Sequence, residues 1–308
     1  MNYSTIGVDI SKHFLDVCFL PTGEVAQFPN TEAGFKDFFK TLESSSFERI
    51  LMEDTGCYHK SFYHFLLKHF NNVSVINPKR IRDFAKSSGR LAKTDKLDAF
   101  IIASYGERMN IIEKIRRSPT AEKLRAFVIR RRQLVNLRKQ EYNHIETCLD
   151  NEFKTSIYKI IKSLDDEIKT VEKAMKELIK NDDFYKSIYK RLSQIMGVGD
   201  VLITTLLSDL PELGYLNKRQ ITSLAGLAPM NCDSGKMRGS RHIQGGRASV
   251  RHALYMGVLS ATTTNNVISE YYNHLREQGK PAKVALTACM RKMLIYINGV
   301  YQKEFCKI

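Results

Sequence analysis

Near the start of the chain two short apolar runs each stop on an acid: Thr5-Ile6-Gly7-Val8 on Asp9, and Arg49-Ile50-Leu51-Met52 on Glu53. Runs of this length and composition read as short strands. A carboxylate at the end of a buried strand is costly unless a cation or a turn answers it. Asp9 alone reads equally as a turn former or a metal ligand, and Glu53 leads into the turn signal Asp54-Thr55-Gly56. The repetition lifts the metal hypothesis above background. Leu15 to Leu20, Val25 to Phe28 and Val73 to Ile76 supply further strands, the last stopped by Asn77-Pro78, while Phe35 to Leu42 and Ser61 to Phe70 carry helical patterns. The interleaving of strands and helices predicts an α/β domain.

A third acidic feature follows in Lys93-Thr94-Asp95-Lys96-Leu97-Asp98. Residues three apart on a helix share a face, so Asp95 and Asp98 point the same way and repel. A divalent cation between them removes that repulsion. An isolated pair of this kind is a solvated first helical turn; its weight comes from the two strand acids and from the dense cations before it, Lys79, Arg80, Arg82, Lys86, Arg90 and Lys93. Strand acid, strand acid and helical acid pair beside a phosphate-attracting surface is the layout of a metal-dependent nuclease or strand-transfer site. The whole chain agrees: 48 Lys and Arg against 33 Asp and Glu leave +15 at pH 7, which argues for a polyanionic partner, nucleic acid rather than membrane. With no leader-like start and no apolar run of membrane length, the expectation is a cytoplasmic protein, nucleoid-associated when bound to DNA. Six cysteines without a C-x-x-C pair disfavour disulfides and zinc.

Between Ala103 and Ile195 the composition turns to Lys, Arg, Glu, Leu and Ile, with Pro119 the one proline. Ile157, Ile161, Leu164, Ile168, Val171, Met175 and Leu178 form a heptad seam, which predicts either an intramolecular helical hairpin or dimerisation. Arg130, Arg131 and Arg132 could line a nucleic-acid channel. Gly197-Val198-Gly199 between two helical patterns suits a helix-hairpin-helix turn whose backbone N–H groups hold a phosphate, and equally suits close helix packing. Beyond it, the polar loop Asn231 to Gly239 leads toward the helix opened by Gly245-Gly246-Arg247. Its Ser234 stands among Lys236, Arg238, Arg241, Arg247 and Arg251, the exposed hydroxyl and cationic donors that phosphoryl attack requires. In isolation Ser234 is a turn residue; Ser240 and Ser249 are its rivals, with Ser249 last because it caps or faces a helix.

Gly7-Val8-Asp9-Ile10-Ser11-Lys12, Met52 to Gly56, and Arg82-Asp83-Phe84-Ala85 through Gly89 to Ala99 resemble the transposases of the "one-ten" class of bacterial insertion sequences and the related Piv DNA invertases. Gly-Arg-Ala-Ser-Val-Arg and Met290-Arg291-Lys292 extend the resemblance across nearly the whole chain. It implies a RuvC-like, RNase H-like N-terminal domain over 1–108, a helical coiled-coil connector over 109–190 and a mainly α C-terminal domain over 191–308. It further implies that Asp9, Glu53, Asp95 and Asp98 are a catalytic tetrad binding Mg2+, with Mn2+ as the alternative ion, and that Ser234 is the nucleophile forming a phosphoserine link to DNA. The partners implied are donor and target DNA, a noncoding bridge RNA and further copies of the chain, as a dimer or tetramer in which one subunit's acids meet another's serine. The leading expectation is therefore an insertion-sequence transposase. The alternatives are a RuvC-like nuclease or resolvase, a DNA invertase without guide RNA, and a binding protein without catalysis.

Overall fold

The first apolar run becomes β1 (Asn2–Ile10), followed by β2 (Phe14–Leu20), β3 (Glu24–Pro29), α1 (Glu32–Leu42), β4 (Ser46–Glu53), α2 (His59–Leu67), β5 (Val73–Ile76), α3 (Pro78–Ser87) and α4 (Asp95–Arg108). These elements belong to the first of two compact units, Met1–Lys114 and Ile115–Ile308. The structure is a computed structural model that describes residues 2–43, 45–89, 95–109, 111, 117–148, 150–231, 239 and 241–306.

The sheet has the order β3-β2-β1-β4-β5. The β3-β2 and β2-β1 pairs are antiparallel, whereas β1-β4 and β4-β5 are parallel and connected through helices. One face buries Ile6, Val8, Leu15, Ile50 and Met52 against Phe35, Phe38 and Phe62 of α1 and α2. The other takes α4, with Leu51 beside Ile102 and Tyr105, and Cys18 and Leu20 beside Ala99 and Ala103. Burial on both faces explains why the central strands read as unbroken apolar runs. Helix starts follow the sequence: Thr31 accepts from the Gly34 N–H to cap α1, and Asn77 caps α3 just before Pro78. The result is a mixed α/β unit compatible with the RNase H-like expectation.

The second unit holds α5 (Pro119–Thr147), α6 (Asn151–Lys180), α7 (Asp183–Leu192), α8 (Asp200–Asp209), α9 (Lys218–Leu224), the short strands β6 (Pro229–Met230) and β7 (His242–Ile243), α10 (Ala248–Thr264), α11 (Asn266–Glu277) and α12 (Ala282–Phe305). Helices α5 and α6 form an antiparallel hairpin, tied by Arg131 to Glu172 at 2.7 Å and Arg138 to Asp165 at 2.5 Å. Of the heptad seam, Ile161, Ile168, Val171 and Met175 are buried, so the intramolecular hairpin accounts for the pattern.

Leu124 and Val128 of α5 and Ile168 and Met175 of α6 share one core with Ile203, Leu254, Val258 and Leu294. Helices α5 and α6 therefore belong to the same compact unit as the C-terminal helices, Ile115–Ile308. Helix α5 packs on α8 as well as on α6, which carries its buried face beyond the hairpin. Among the described residues no helix is long and apolar enough to cross a membrane.

Candidate active site

Strand register builds the acidic end of the sheet. Parallel pairing of β1 and β4 runs through Val8 opposite Met52, so the next residues, Asp9 and Glu53, are neighbours at the C-terminal ends of adjacent strands. Strand alternation puts Asp9 on the face of Thr5 and Gly7, and Glu53 on the face of Leu51. This is the face that α4 covers. A Cβ on Gly7 would lie 2.4 Å from both Ala103 N and Ala99 O, and one on Gly106 would lie 2.1 Å from Leu51 Cδ1 and 2.7 Å from Thr5 Cγ2. Glycine at both positions lets helix and sheet backbones approach closely. Because Ala99 lies at the level of Gly7 and Gly106 at that of Thr5, α4 runs opposite to β1. Its first turn, with Asp95 and Asp98, is thereby directed toward the strand ends that carry Asp9 and Glu53.

Asp9, Glu53 and Asp98 are half-buried, and Asp9 Oδ1 accepts from the Ile10 N–H at 3.0 Å. The side chain of Asp95 lies outside the described residues, as do Arg90 and Lys93. A further carboxylate, not singled out from the sequence, belongs to this row. Asp16 pairs directly with Asp9 across the β1-β2 ladder, is buried, and accepts from Gln27 Nε2 at 2.8 Å. Its signal was present in Leu15-Asp16-Val17, where one acid interrupts an apolar strand on the same face as Cys18. Carboxylate oxygens from several elements suit a hard divalent ion. Among the described residues, however, no three His, Cys, Asp or Glu side chains converge closely enough to hold one; like charges spread apart, and the described set lacks Asp95.

The cations of α3 begin at the same end of the sheet, since Ile76 pairs with Glu53 and α3 starts immediately beyond it. Ile81 and Phe84 anchor the helix, leaving Lys79, Arg80 and Arg82 exposed. The Arg80 guanidinium lies 5.5 Å from the Tyr105 ring centre.

In the second unit, Ser234, Lys236, Arg238 and Ser240 lie outside the described residues, but the base of their loop is defined. Pro229 pairs with Ile243 and Met230 with His242, so the chain leaves and returns at one place. Beneath this ladder the backbones of Gly226 and Gly246 cross so closely that a Cβ on Gly246 would lie 2.2 Å from Gly226 N. Arg247, expected to face nucleic acid, donates to both Glu212 carboxylate oxygens at 2.5 and 2.6 Å and to Asp209 O at 2.9 Å. Arg251 donates to Gly245 O at 2.7 Å. Both arginines therefore brace the backbone below the β6-β7 ladder, a role invisible in a run of cations because Glu212 is distant in sequence. Arg131 is engaged by Glu172, whereas Arg130 and Arg241 are exposed. Ser249 lies in the first turn of α10, half-buried.

The two glycines of the Gly-x-Gly turn separate. Gly197 has φ +86° and a Cβ there would strike Ala261 Cβ at 2.5 Å, so packing and conformation both require it. Gly199 opens α8, and a Cβ on it would meet nothing within 4 Å.

Residues 6–154 match a family model described as a transposase, and residues 189–273 match one described as "Transposase IS116/IS110/IS902 family". With the mixed sheet and its acidic end, these matches define the class: a recombinase that cleaves and rejoins DNA. The chain is also 27% identical to the pilin gene-inverting proteins of Moraxella bovis and Moraxella lacunata, in each case over 99% of this chain and 97% of the relative. The two matched stretches, which together span most of the chain, place it in the IS110 family of transposases.

Proposed function

We propose that the chain is the site-specific recombinase of an insertion sequence, with Asp9, Glu53, Asp95 and Asp98 as its metal-binding acids and Ser234 as its nucleophile. The observation that carries this reading is the direction of α4, which sends an acid-bearing helical turn toward two strand-end acids on one face of the sheet. Mg2+ held by these carboxylates supplies charge neutralisation and orientation of a phosphodiester. The acids' own part is to present oxygen donors from three separate elements. The exposed cations of α3 draw the DNA backbone to that end of the sheet. In the reaction the Ser234 Oγ–P bond forms as a P–O bond to the departing strand breaks; the serine proton is released and the departing oxygen takes one up. Ester bonds are conserved, so rejoining needs no outside energy.

The donor and target sites are read, in this proposal, by a noncoding bridge RNA, and the active assembly is a dimer or tetramer. Both features rest on the resemblance in sequence. A second reading, inversion of a DNA segment, is favoured by full-length similarity to two proteins whose names describe gene inversion.

The test uses purified full-length protein, Mg2+ and DNA carrying the element ends. Wild type should form a denaturant-stable protein–DNA adduct that disappears in Ser234→Ala and in Glu53→Gln. An undiminished rate of strand cleavage in Ser234→Ala would establish a water-using nuclease instead.

A further inference from the structure

Asp16 is 4% exposed, more deeply buried than Asp9, Glu53 or Asp98, yet the proposed reaction gives it no part. It lies inside β2, where it serves neither a turn nor a helix cap; the β1-β2 turn is closed by Ser11 with Phe14 instead. Alternation along β2 puts it on the face of Cys18 and Leu20, which α4 covers with Ala99 and Ala103. Opposed residues of an antiparallel ladder share a face, with Cβ atoms about 4.5–5.5 Å apart. The Asp16 and Asp9 carboxylates therefore stand side by side.

Like charges directly opposite each other destabilise a sheet, and burying one of them raises the cost. Asp16 Oδ1 accepts from Gln27 Nε2 at 2.8 Å, but among the described residues no Lys, Arg or His forms an ion pair with this carboxylate. A charge is not needed to hold Gln27. A neutral amide in place of Asp16 would accept the same hydrogen bond without repelling Asp9. The start of α4 adds positive potential at this end of the sheet, but it brings Asp95 and Asp98 with it. What answers two adjacent carboxylates in such surroundings is a bound cation.

We infer that Asp16 is a fifth carboxylate of the proposed metal centre. The divalent ion bound at Asp9 answers its buried charge, while Gln27, from the edge strand β3, holds one oxygen and leaves the other for the ion. Carboxylates at metal centres are oriented by such neighbouring hydrogen bonds. The inference rests on the metal-binding part of the proposed function and adds to it a residue from a further element, β2. Among the described residues no three acids converge on an ion. Asp9 and Asp16 supply two adjacent donors, and the side chain of Asp95 lies outside the described set.

The probe is Mn2+, added to the full chain without DNA. Free Mn2+ is followed by electron paramagnetic resonance, and the melting temperature is measured in EDTA and in Mn2+. Asp16→Asn keeps the side-chain shape and the acceptor for Gln27. In EDTA it should melt at or above the wild-type temperature, because a repulsion is gone. Its Mn2+ affinity should fall by about tenfold or more, and the rise in melting temperature that Mn2+ gives wild type should shrink accordingly. Asp37→Asn removes an exposed charge from α1, on the other face of the sheet, and should bind Mn2+ as wild type does. Unchanged affinity in Asp16→Asn, or an equal fall in Asp37→Asn, overturns the inference. So does a lower melting temperature of Asp16→Asn in EDTA, since the charge would then serve the fold without an ion. Asp9→Asn separates this inference from the reading beneath it: if Asp9→Asn loses Mn2+ and Asp16→Asn does not, the metal centre stands and the fifth carboxylate falls. If wild type binds no Mn2+, both fall.

Discussion

Gly7→Ala tests the geometry on which the active site depends. The new methyl would lie 2.4 Å from the backbone at both Ala99 and Ala103, about 1 Å inside ordinary van der Waals separation. These are backbone atoms in the middle of a helix, so no side-chain rotation relieves the clash; α4 must move away from β1 by roughly that amount. Overpacking of this kind costs about 1–3 kcal/mol. Asp98 precedes Ala99 directly and moves with it, away from Asp9 and Glu53. A misplacement of about 1 Å at a reacting centre costs on the order of 100-fold in rate. The assay pairs urea denaturation with Mg2+-dependent cleavage of element-end DNA, measured where the variant is fully folded. Gly23→Ala is the control: Gly23 has φ +74° and open space around its Cβ, so alanine there should cost about 1 kcal/mol through backbone strain and leave cleavage unchanged. If Gly7→Ala cleaved at the wild-type rate, the helix would not be setting the acids' positions, and the site argument would fall.

Glu212→Ala should destabilise the second unit by about 1–3 kcal/mol, since it strips two charge-assisted hydrogen bonds from half-buried Arg247; an unchanged urea midpoint would deny the bracing role. Asp200 gives a pH test. Lys176 and Tyr189 depress its carboxyl below the ordinary 3.8, so its contribution is present above that value and is lost as pH falls through the folded-state pKa. Asp200→Asn should therefore flatten the fall of melting temperature with acidity below about pH 4, and an identical slope would contradict it. Burial pushes the Cys18 thiol up to about 11, so at pH 8 a thiol reagent should modify exposed Cys57 and spare Cys18 until the unit unfolds; mass spectrometry of labelled peptides decides.

The sequence carried the strands and their acidic ends plainly, because the buried strands of this sheet are mainly apolar and Asp9 and Glu53 stand out at the ends of their runs. It did not carry the pairing of Asp16 with Asp9, which depends on the register of a hairpin rather than on composition. Nor did it show that Gly7 and Gly106 are the points where α4 meets the sheet: a glycine in a strand and one in a helix have no common mark until the two backbones touch. The hairpin of α5 and α6 was half legible. A heptad seam states that a helix needs a partner, but only Arg138 with Asp165 and Arg131 with Glu172 establish that the partner is in the same chain. The seam's wider surroundings were equally hidden, because its residues face α5 and, beyond it, a core built by helices far along the chain.

The basic excess divides into two groups once partners are known, and the division bears on mechanism. Arg131, Arg138, Arg191, Arg247 and Arg251 are held by carboxylates or carbonyls within the second unit. Their charge is offset locally, and they shape the hairpin and the base of the serine loop. Lys79, Arg80 and Arg82 form no ion pair among the described residues and are exposed on one short helix. That helix begins where β5 ends, beside Glu53. An acidic site repels a polyanion at long range, by several kT where charges accumulate. Cations lacking carboxylate partners at the rim of that site reverse the sign of the field met first by an approaching phosphate. Since screening at physiological salt acts over about 8 Å, cations elsewhere on the surface cannot substitute for them. Removing Lys79, Arg80 and Arg82 together should therefore weaken DNA association, with a shallower salt dependence, while Glu53→Gln leaves association intact and stops cleavage.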